Sequence, residues 1–329
     1  MKTLTVLDRQ AVARLLPRAT CFHLATRAFE ETSLRRGQQP NRVIIPVPRP
    51  PEAVLSVMAG VMHEPILFGA KISAVYPQNR YRGLAGHSGV VIVFDQATGR
   101  PTGVLHGGEL TARRTAAATA VATRALARPN SRVLGLIGAG EQASHHLEAL
   151  VDCLRIEQVR VWSRTESRAS EFAKTHETLG VPIVVHKGIE SLVRGADIIC
   201  TLTSASDPIL FGRLLEPGQH LNAVGSSVRQ FREIDEDAVR RSRLYADYLP
   251  MMQAEGGDYL AAVRSGAITS NHAIGEIGEV LLGRKPGRTS DTDITLFKSL
   301  GIIAEDLTAA DHALERASAE GAGVCVSFD

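Results

Sequence analysis

Residues 132–143 read RVLGLIGAGEQA, and this stretch decides the fold. The apolar run at residues 133–137 is typical of a strand buried on both faces. Gly138 and Gly140, with Ala143 in place of a third glycine, match the turn that joins a strand to a helix whose first N–H groups hold a pyrophosphate. A second apolar run at residues 159–162 comes at the spacing of a βαβ unit, so we predict a Rossmann dinucleotide-binding domain. The residues expected to contact the phosphates are Gly138, Ala139, Gly140, Glu141 and Gln142.

Residues 161–168, VWSRTESR, follow that second strand and bear on which dinucleotide is bound. An NAD site usually carries Asp or Glu at this strand tip to accept hydrogen bonds from the ribose 2′-OH. This chain has guanidinium and hydroxyl groups instead, which suit a 2′-phosphate. A solvated loop that is merely basic is the alternative interpretation. We predict NADPH as the cofactor, with NADH less favoured, held by Ser163, Arg164, Thr165 and Arg168.

Composition excludes several classes of protein. The 329 residues carry a net charge of +2 without a basic run, so neither nucleic acid nor a membrane surface is expected as a partner. Charged residues interrupt the apolar stretches of the N-terminus, and no run reaches membrane-spanning length. The four cysteines lack paired spacing and the histidines lack a metal-binding pattern. We expect a cytoplasmic protein without a metal site, and we place His145 and His146 on the solvent face of the first Rossmann helix.

Around the Rossmann unit the sequence predicts a second, discontinuous α+β domain. Residues 4–36 have helical periodicity, and the helix at residues 303–319 is expected to complete this domain. The predicted boundaries are residues 1–115 with 300–329 for this domain and 116–299 for the Rossmann domain. The sheet of the discontinuous domain is predicted from short apolar runs at residues 42–48, 54–60, 69–75, 90–95 and 103–105.

Two later apolar runs, at residues 196–201 and 218–225, are predicted to be further strands of the parallel sheet. In open parallel sheets the ligand lies beyond the carboxyl ends of the strands. Thr203, Gly225 and Ser226 are therefore expected near the cofactor.

Four stretches, in this order, resemble the ornithine cyclodeaminase/mu-crystallin family. They are LTARRTAA at residues 110–117, GAGEQA at 138–143, PGQHLNAVG at 217–225 and TLFKSLG at 295–301. Residues 159–165, 207–212 and 297–301 are most similar to the mu-crystallin branch, whose members act as NADPH-dependent ketimine reductases. The resemblance implies a Rossmann domain beside a discontinuous substrate-binding domain that pairs two subunits through antiparallel sheet, hence a homodimer.

The resemblance also implies roles for individual residues. Arg42, Lys71 and Arg114 would grip the carboxylate of an imine or amino-acid substrate, and Lys71, placed in an apolar strand, is a residue type seldom buried without a partner. Glu255 would bind or protonate the imine nitrogen; Lys71 and a water are the other candidates for the proton donor. Residues implied at the cofactor are Gly86, His87, Ser88, Arg114, Thr115, Val224, Ser299 and Leu300.

One departure from the family pattern narrows the chemistry. Cyclodeaminases carry an Asp just after the strand that ends at Gly225, whereas this chain has Ser226, whose hydroxyl is not a base near neutral pH. The leading hypothesis is therefore NADPH-dependent reduction of cyclic ketimine carboxylates such as pyrroline-2-carboxylate or piperideine-2-carboxylate. The alternatives are an ornithine cyclodeaminase or hydroxyproline dehydratase using bound NAD, an alanine-dehydrogenase-like oxidoreductase, and a binding protein for NADPH and a small ligand without turnover.

Overall fold

The computed structural model describes residues 3–50 and 52–328, with all side chains in that range other than those of Arg80 and Tyr81. Its helices are α1 (Arg9–Leu15), α2 (Arg18–Ser33), α3 (Gly107–Leu126), α4 (Glu141–Cys153), α5 (Glu166–Thr175), α6 (Ile189–Val193), α7 (Glu236–Arg241), α8 (Leu249–Glu255), α9 (Gly257–Arg264), α10 (Ile277–Leu281) and α11 (Ile303–Glu320). Its strands are β1 (Thr3–Leu7), β2 (Gly37–Gln38), β3 (Val43–Pro46), β4 (Val54–His63), β5 (Ile66–Val75), β6 (His87–Phe94), β7 (Pro101–His106), β8 (Val133–Ile137), β9 (Gln158–Trp162), β10 (Ile183–Val185), β11 (Ile198–Thr201), β12 (His220–Ala223), β13 (Ser242–Ala246), β14 (Gly275–Glu276), β15 (Ile294–Lys298) and β16 (Val324–Ser327).

The chain divides into two compact units. The first comprises the chain up to Arg114 together with the chain from Ile302 onward, and the second is Thr115–Gly301. The first division therefore falls inside α3, and the second immediately precedes α11.

The first unit is a mixed sheet with helices on one face. The strand order is β16-β1-β7-β6-β5-β4-β2, with β3 also on β4, and every pairing is antiparallel except that of β1 with β7. Helix α11 lies against β4, β5 and β6. Glycines in the sheet permit this close approach, because a Cβ at Gly60 would stand 2.4 Å from Ile303 and one at Gly103 2.4 Å from Leu314.

The helix predicted over residues 4–36 is wrong at its start. Thr3–Leu7 is a strand, and the helical segment is two helices, α1 and α2, separated at Pro17. The β-branched residues Thr3, Thr5 and Val6 suit a strand that is held by β7 and β16, which are distant in sequence. Asp8 then caps α1, its side chain accepting a hydrogen bond from the Ala11 N–H at 2.8 Å.

The second unit is an eight-stranded, wholly parallel sheet. Its order is β10-β9-β8-β11-β12-β15-β13-β14. The first six strands reproduce the doubly wound order in which β8, the strand before the glycine turn, occupies the middle. The predicted fold class, a Rossmann unit accompanied by an α+β unit, is confirmed.

Among the described helices none is long and apolar enough to cross a bilayer.

Candidate functional site

The glycine turn after β8 has the geometry that a dinucleotide pyrophosphate needs. Gly138 has a φ of +124°, and a Cβ there would stand 2.6 Å from the Leu202 carbonyl oxygen, so only glycine fits. At Gly140 a Cβ would meet nothing within 4 Å, so the backbone faces open space. Gly140 precedes α4, and no side chain caps the free N–H groups of that helix. Buried Ala143 lets α4 pack closely on the sheet.

The tip of β9 places its polar residues at the surface. Arg164, Thr165 and Arg168 are exposed and Ser163 is half-buried. Strand β10 runs parallel beside β9, so that Val185 lies opposite Val161. Lys187, two residues past the end of β10, is a further cation that was not predicted from the sequence.

The ends of β11 and β12 are joined through one buried carboxylate. Glu233 accepts hydrogen bonds from the Thr203 N–H at 2.7 Å and from the Gly225 N–H at 2.7 Å. Burial raises the pKa of Glu233, while the Thr203 hydrogen bonds and the charge of Lys298 oppose that shift. The structure thus brings the predicted residues Thr203, Gly225 and Ser226 together.

Ser226 is the residue at which the sequence departs from the cyclodeaminase pattern. The residue is buried, and its hydroxyl donates a hydrogen bond to the carbonyl of Phe231. Its N–H faces Glu233 at 3.3 Å. A hydroxyl committed in this way to the backbone offers no base.

The remaining candidates of the second unit follow a strand or lie in a helix. Ser299 and Leu300 are buried after β15, and the Leu300 N–H donates to Asp247 at 2.6 Å. Thr115 and Val224 are also buried. Glu255 is half-buried at the last position of α8.

The first unit holds a buried cluster of charge. Lys71 on β5 and Arg114 on α3 are 6% and 5% exposed. Asp306, in the first turn of α11, accepts hydrogen bonds from Lys71 Nζ at 2.7 Å and from Arg114 Nε at 3.0 Å. Glu305 pairs with Arg114 at 2.5 Å. Arg42 is half-buried and close enough to influence the charge of Lys71, so the three predicted substrate cations lie together.

The protonation of this cluster is finely balanced. Burial, Arg114 and Arg42 lower the pKa of Lys71 from 10.5 to about 8, although Asp306 opposes the shift. For Arg114, burial alone would lower the pKa, but Asp306 and Glu305 together raise it. Lys71 is therefore cationic at neutral pH, yet close to its titration.

Three further candidates in the first unit, Gly86, His87 and Ser88, lie at the start of β6. Gly86 is half-buried, whereas His87 and Ser88 are exposed. The Gly86 carbonyl accepts from the Tyr76 N–H at 2.8 Å, which fixes the entry into β6.

Four buried acids of the two units were not predicted from the sequence: Glu305, Asp306, Glu233 and Asp258. First-turn acids such as Glu305 and Asp306 also complement a helix dipole, so the sequence gives them an ordinary explanation. The only available signal was indirect, namely that a lysine in an apolar strand needs an acid somewhere.

The solvent-facing position expected for His146 is wrong. Its side chain is fully buried, with Nε2 3.0 Å from the Thr119 hydroxyl and Nδ1 2.7 Å from the Gln142 carbonyl. Burial lowers the pKa of His146 from 6.5 to about 4. The alanine-rich α3 leaves room for this ring, which a helical period alone does not reveal.

With this fold and these sites in place, the class of protein is defined. The family model described as "Ornithine cyclodeaminase/mu-crystallin family" matches residues 3–321, and the chain belongs to that family.

Individual relatives are similar over most or all of their length. The chain is 38% identical to mouse ketimine reductase mu-crystallin over 272 residues, 83% of each chain. A solved Δ1-pyrroline-2-carboxylate reductase from Thermococcus litoralis, in complex with NADH and L-proline, superposes with a TM-score of 0.95 at 32% identity, covering 98% of this chain and 100% of that one. An archaeal alanine dehydrogenase, a dimer with bound NAD, superposes with a TM-score of 0.93 at 29% identity, covering 99% and 100%.

Proposed function

We propose that this protein reduces the C=N bond of small cyclic ketimine carboxylates, of the pyrroline-2-carboxylate or piperideine-2-carboxylate type, to cyclic amino acids with NADPH. The buried cluster of Lys71, Arg114 and Asp306 carries the proposal, because buried cations held in place by an acid suit the grip on a planar carboxylate. The similarity to a ketimine reductase and to a pyrroline-2-carboxylate reductase supports this substrate class.

A nicotinamide cofactor supplies the hydride when it is bound. The open space at Gly140 and the uncapped start of α4 fit its pyrophosphate. The preference for NADPH rests on the exposed Arg164, just after β9, and Arg168, in the first turn of α5, with Lys187 two residues past the end of β10. The solved pyrroline-2-carboxylate reductase and alanine dehydrogenase hold NADH and NAD, so substitution of Arg164 is the test of this preference.

The chain's own residues bind the substrate and manage its proton. Arg42, Lys71 and Arg114 would hold the carboxylate, which fixes the orientation of the imine carbon. The ammonium of Lys71, with its pKa of about 8, is suited to give a proton near neutral pH. Glu255 and a water molecule are the other candidate donors for the imine nitrogen.

A homodimer is the proposed assembly. In the first unit the sheet face opposite α11 carries apolar side chains that are exposed in the single chain, among them Val61, Ile72 and Val90, each 37–38% exposed. An exposed apolar sheet face of this kind is typical of a subunit interface. The alanine dehydrogenase relative is a dimer.

The decisive test is oxidation of NADPH, followed by absorbance, with pyrroline-2-carboxylate and with piperideine-2-carboxylate. We expect turnover with at least one of these imines. Ammonia release from L-ornithine with NAD, without net cofactor consumption, would instead establish the lyase alternative. Binding of NADPH without any turnover of these imines or of alanine would favour a binding protein.

Substitution of the carboxylate grip checks the placement of the site. Lys71→Met or Arg42→Ala should raise KM for the imine about tenfold or more, since a charge-assisted hydrogen bond is lost. Arg100→Ala, at an exposed cation in the turn before β7, is the matched control. An unchanged KM in the two site variants would mean that the carboxylate binds elsewhere.

A further inference from the structure

Glu233 is fully buried, and its carboxylate accepts five hydrogen bonds. Its Oε1 accepts from the N–H and the hydroxyl of Thr203, both at 2.7 Å. Its Oε2 accepts from the Thr201 hydroxyl at 2.8 Å, the Gly225 N–H at 2.7 Å and the Ser226 N–H at 3.3 Å. Because each oxygen faces a backbone N–H, which only donates, an amide in this position would place its own N–H₂ against a donor.

A buried ion pair closes the network behind Glu233. Asp258 accepts from the backbone N–H of Glu233 at 2.9 Å and, through its second oxygen, from Lys298 Nζ at 2.6 Å. Lys298 also donates to the Ser226 carbonyl at 2.5 Å. Asp258 and Lys298 are each about as buried as Glu233, at 2% and 1% exposed. The ring therefore runs from Ser226 through Lys298 and Asp258 to Glu233 and back to Ser226.

The segments that follow β11 and β12 approach each other, at Thr203 and Gly225, more closely than a side chain at Gly225 would allow. A Cβ at Gly225 would stand 2.2 Å from the Thr203 carbonyl oxygen and 2.6 Å from Glu233 Oε1. Burying three charges is costly, and an apolar core of the same size would stabilise the fold as well or better. We therefore explain the network by the positions in which it holds the strand ends, and not by a gain in the free energy of unfolding.

We propose that Glu233 is a positioning residue for the nicotinamide half of the cofactor, an inference that rests on the proposed function. Strands β11 and β12 lie on the side of β8 opposite to β9, whose tip would take the adenosine ribose. In the doubly wound fold that side receives the second half of a dinucleotide. Glu233 fixes Thr203, Gly225 and Ser226 at this edge, and the pair Asp258–Lys298 fixes Glu233.

The test compares two ligands on the full-length protein. Glu233→Gln should weaken NADPH binding, measured by fluorescence titration, by about tenfold or more, because a buried N–H loses its acceptor. Adenosine 2′,5′-bisphosphate occupies only the adenosine half, so its affinity should stay within about twofold. Glu276→Gln is the matched control: Glu276 is equally buried in the same unit, but it lies on β14, which β13 and β15 separate from β12, and its carboxylate accepts from the Leu249 N–H.

The outcomes separate this inference from the proposed function. If the wild type binds NADPH and Glu233→Gln binds it with the same affinity, the inference is overturned and the proposed function is not. Equal weakening of both ligands would also overturn it, because general loosening of the unit and not local positioning would then explain the loss. Wild-type protein that binds no reduced nicotinamide cofactor would overturn the proposed function together with the inference.

Discussion

Lys71 and Arg114 are two buried cations in the first unit that share a single carboxylate, Asp306. Removal of one partner from a buried ion pair is far more damaging than removal of a surface pair, because the remaining charge is left without compensation. The same carboxylate favours the charged form of Lys71 against burial and against two neighbouring guanidinium groups. Asp306 therefore sets the pH range in which Lys71 can bind an anion.

Asp306→Asn should move the pH profile of kcat/KM. In the wild type kcat/KM should fall as pH rises through about 8, since Lys71 loses its proton there. Without Asp306 the pKa of Lys71 is lower, so the fall should begin at a lower pH. Asp311→Asn, farther along α11, serves as the control. Identical profiles in Asp306→Asn and wild type would show that Asp306 does not stabilise the protonated form of Lys71.

Arg164→Asp should change the cofactor preference. Loss of a guanidinium–phosphate hydrogen bond, with an acid in its place, should lower the ratio of kcat/KM for NADPH over NADH by about ten- to a hundredfold. Arg194→Asp is the control, because that exposed arginine follows α6 and precedes β11, at the other end of the strands. If the ratio is the same in Arg164→Asp and wild type, the 2′-phosphate does not lie at the tip of β9.

At the scale of elements, the packing of α3 and α4 in the second unit depends on a buried neutral ring. His146 on α4 is hydrogen-bonded to Thr119 on α3, and it is uncharged when folded because burial lowers its pKa to about 4. His220 on β12 is a second such group, with a pKa lowered to about 3 by burial and by Arg288. Both bind a proton more readily in the unfolded chain.

The free energy of unfolding should therefore decrease as pH falls from about 6.5 toward 4. Each of these histidines contributes about 1.4 kcal/mol per pH unit in that window, since the unfolded state takes up the proton first. His146→Gln should remove its share of the slope, as measured by urea unfolding at a series of pH values. His63→Gln, at an exposed position, is the control; an undiminished slope in His146→Gln would contradict this account.

At the scale of the whole molecule, the described helices of the first unit cover one face of its sheet. On the α11 side Met58, Met62 and Val91 are buried, whereas Val61 and Val90 on the same strands point to the opposite face and are exposed. Successive side chains of a strand point to opposite faces of the sheet. Consecutive apolar residues, such as Val90 and Val91, therefore make both faces apolar. A second copy of the chain on the open face would remove that surface from water.

Ile72→Asp should convert the proposed dimer into a monomer. A carboxylate in the middle of an apolar interface loses hydration without gaining a partner, which costs several kcal/mol in each copy. Light scattering coupled to size-exclusion chromatography measures the mass directly. Val184→Asp, at an exposed strand position of the second unit, should leave the mass unchanged, and a dimeric Ile72→Asp protein would place the interface elsewhere.

The predictable part of this protein is the part with local causes. The turn at Gly138 follows from a backbone conformation that only glycine adopts without strain, and the buried strand before it is recognisable from five consecutive residues. The confirmed class of the second unit came from these features. Strand β1 was mistaken for helix because its pairing with β7 and β16 spans most of the chain, and short apolar runs have no decisive period of their own.

The sequence by itself determined the two kinds of unit, the family, and the residue types that could hold a phosphate or a carboxylate. Tertiary structure alone decided the partners of those residues. Asp306 lies 235 residues from Lys71 along the chain, and Lys298 lies 40 residues from Asp258. Charges so far apart in sequence are brought together only when helices pack on sheets, since the free energy of pairing depends on distance and burial and not on order along the chain.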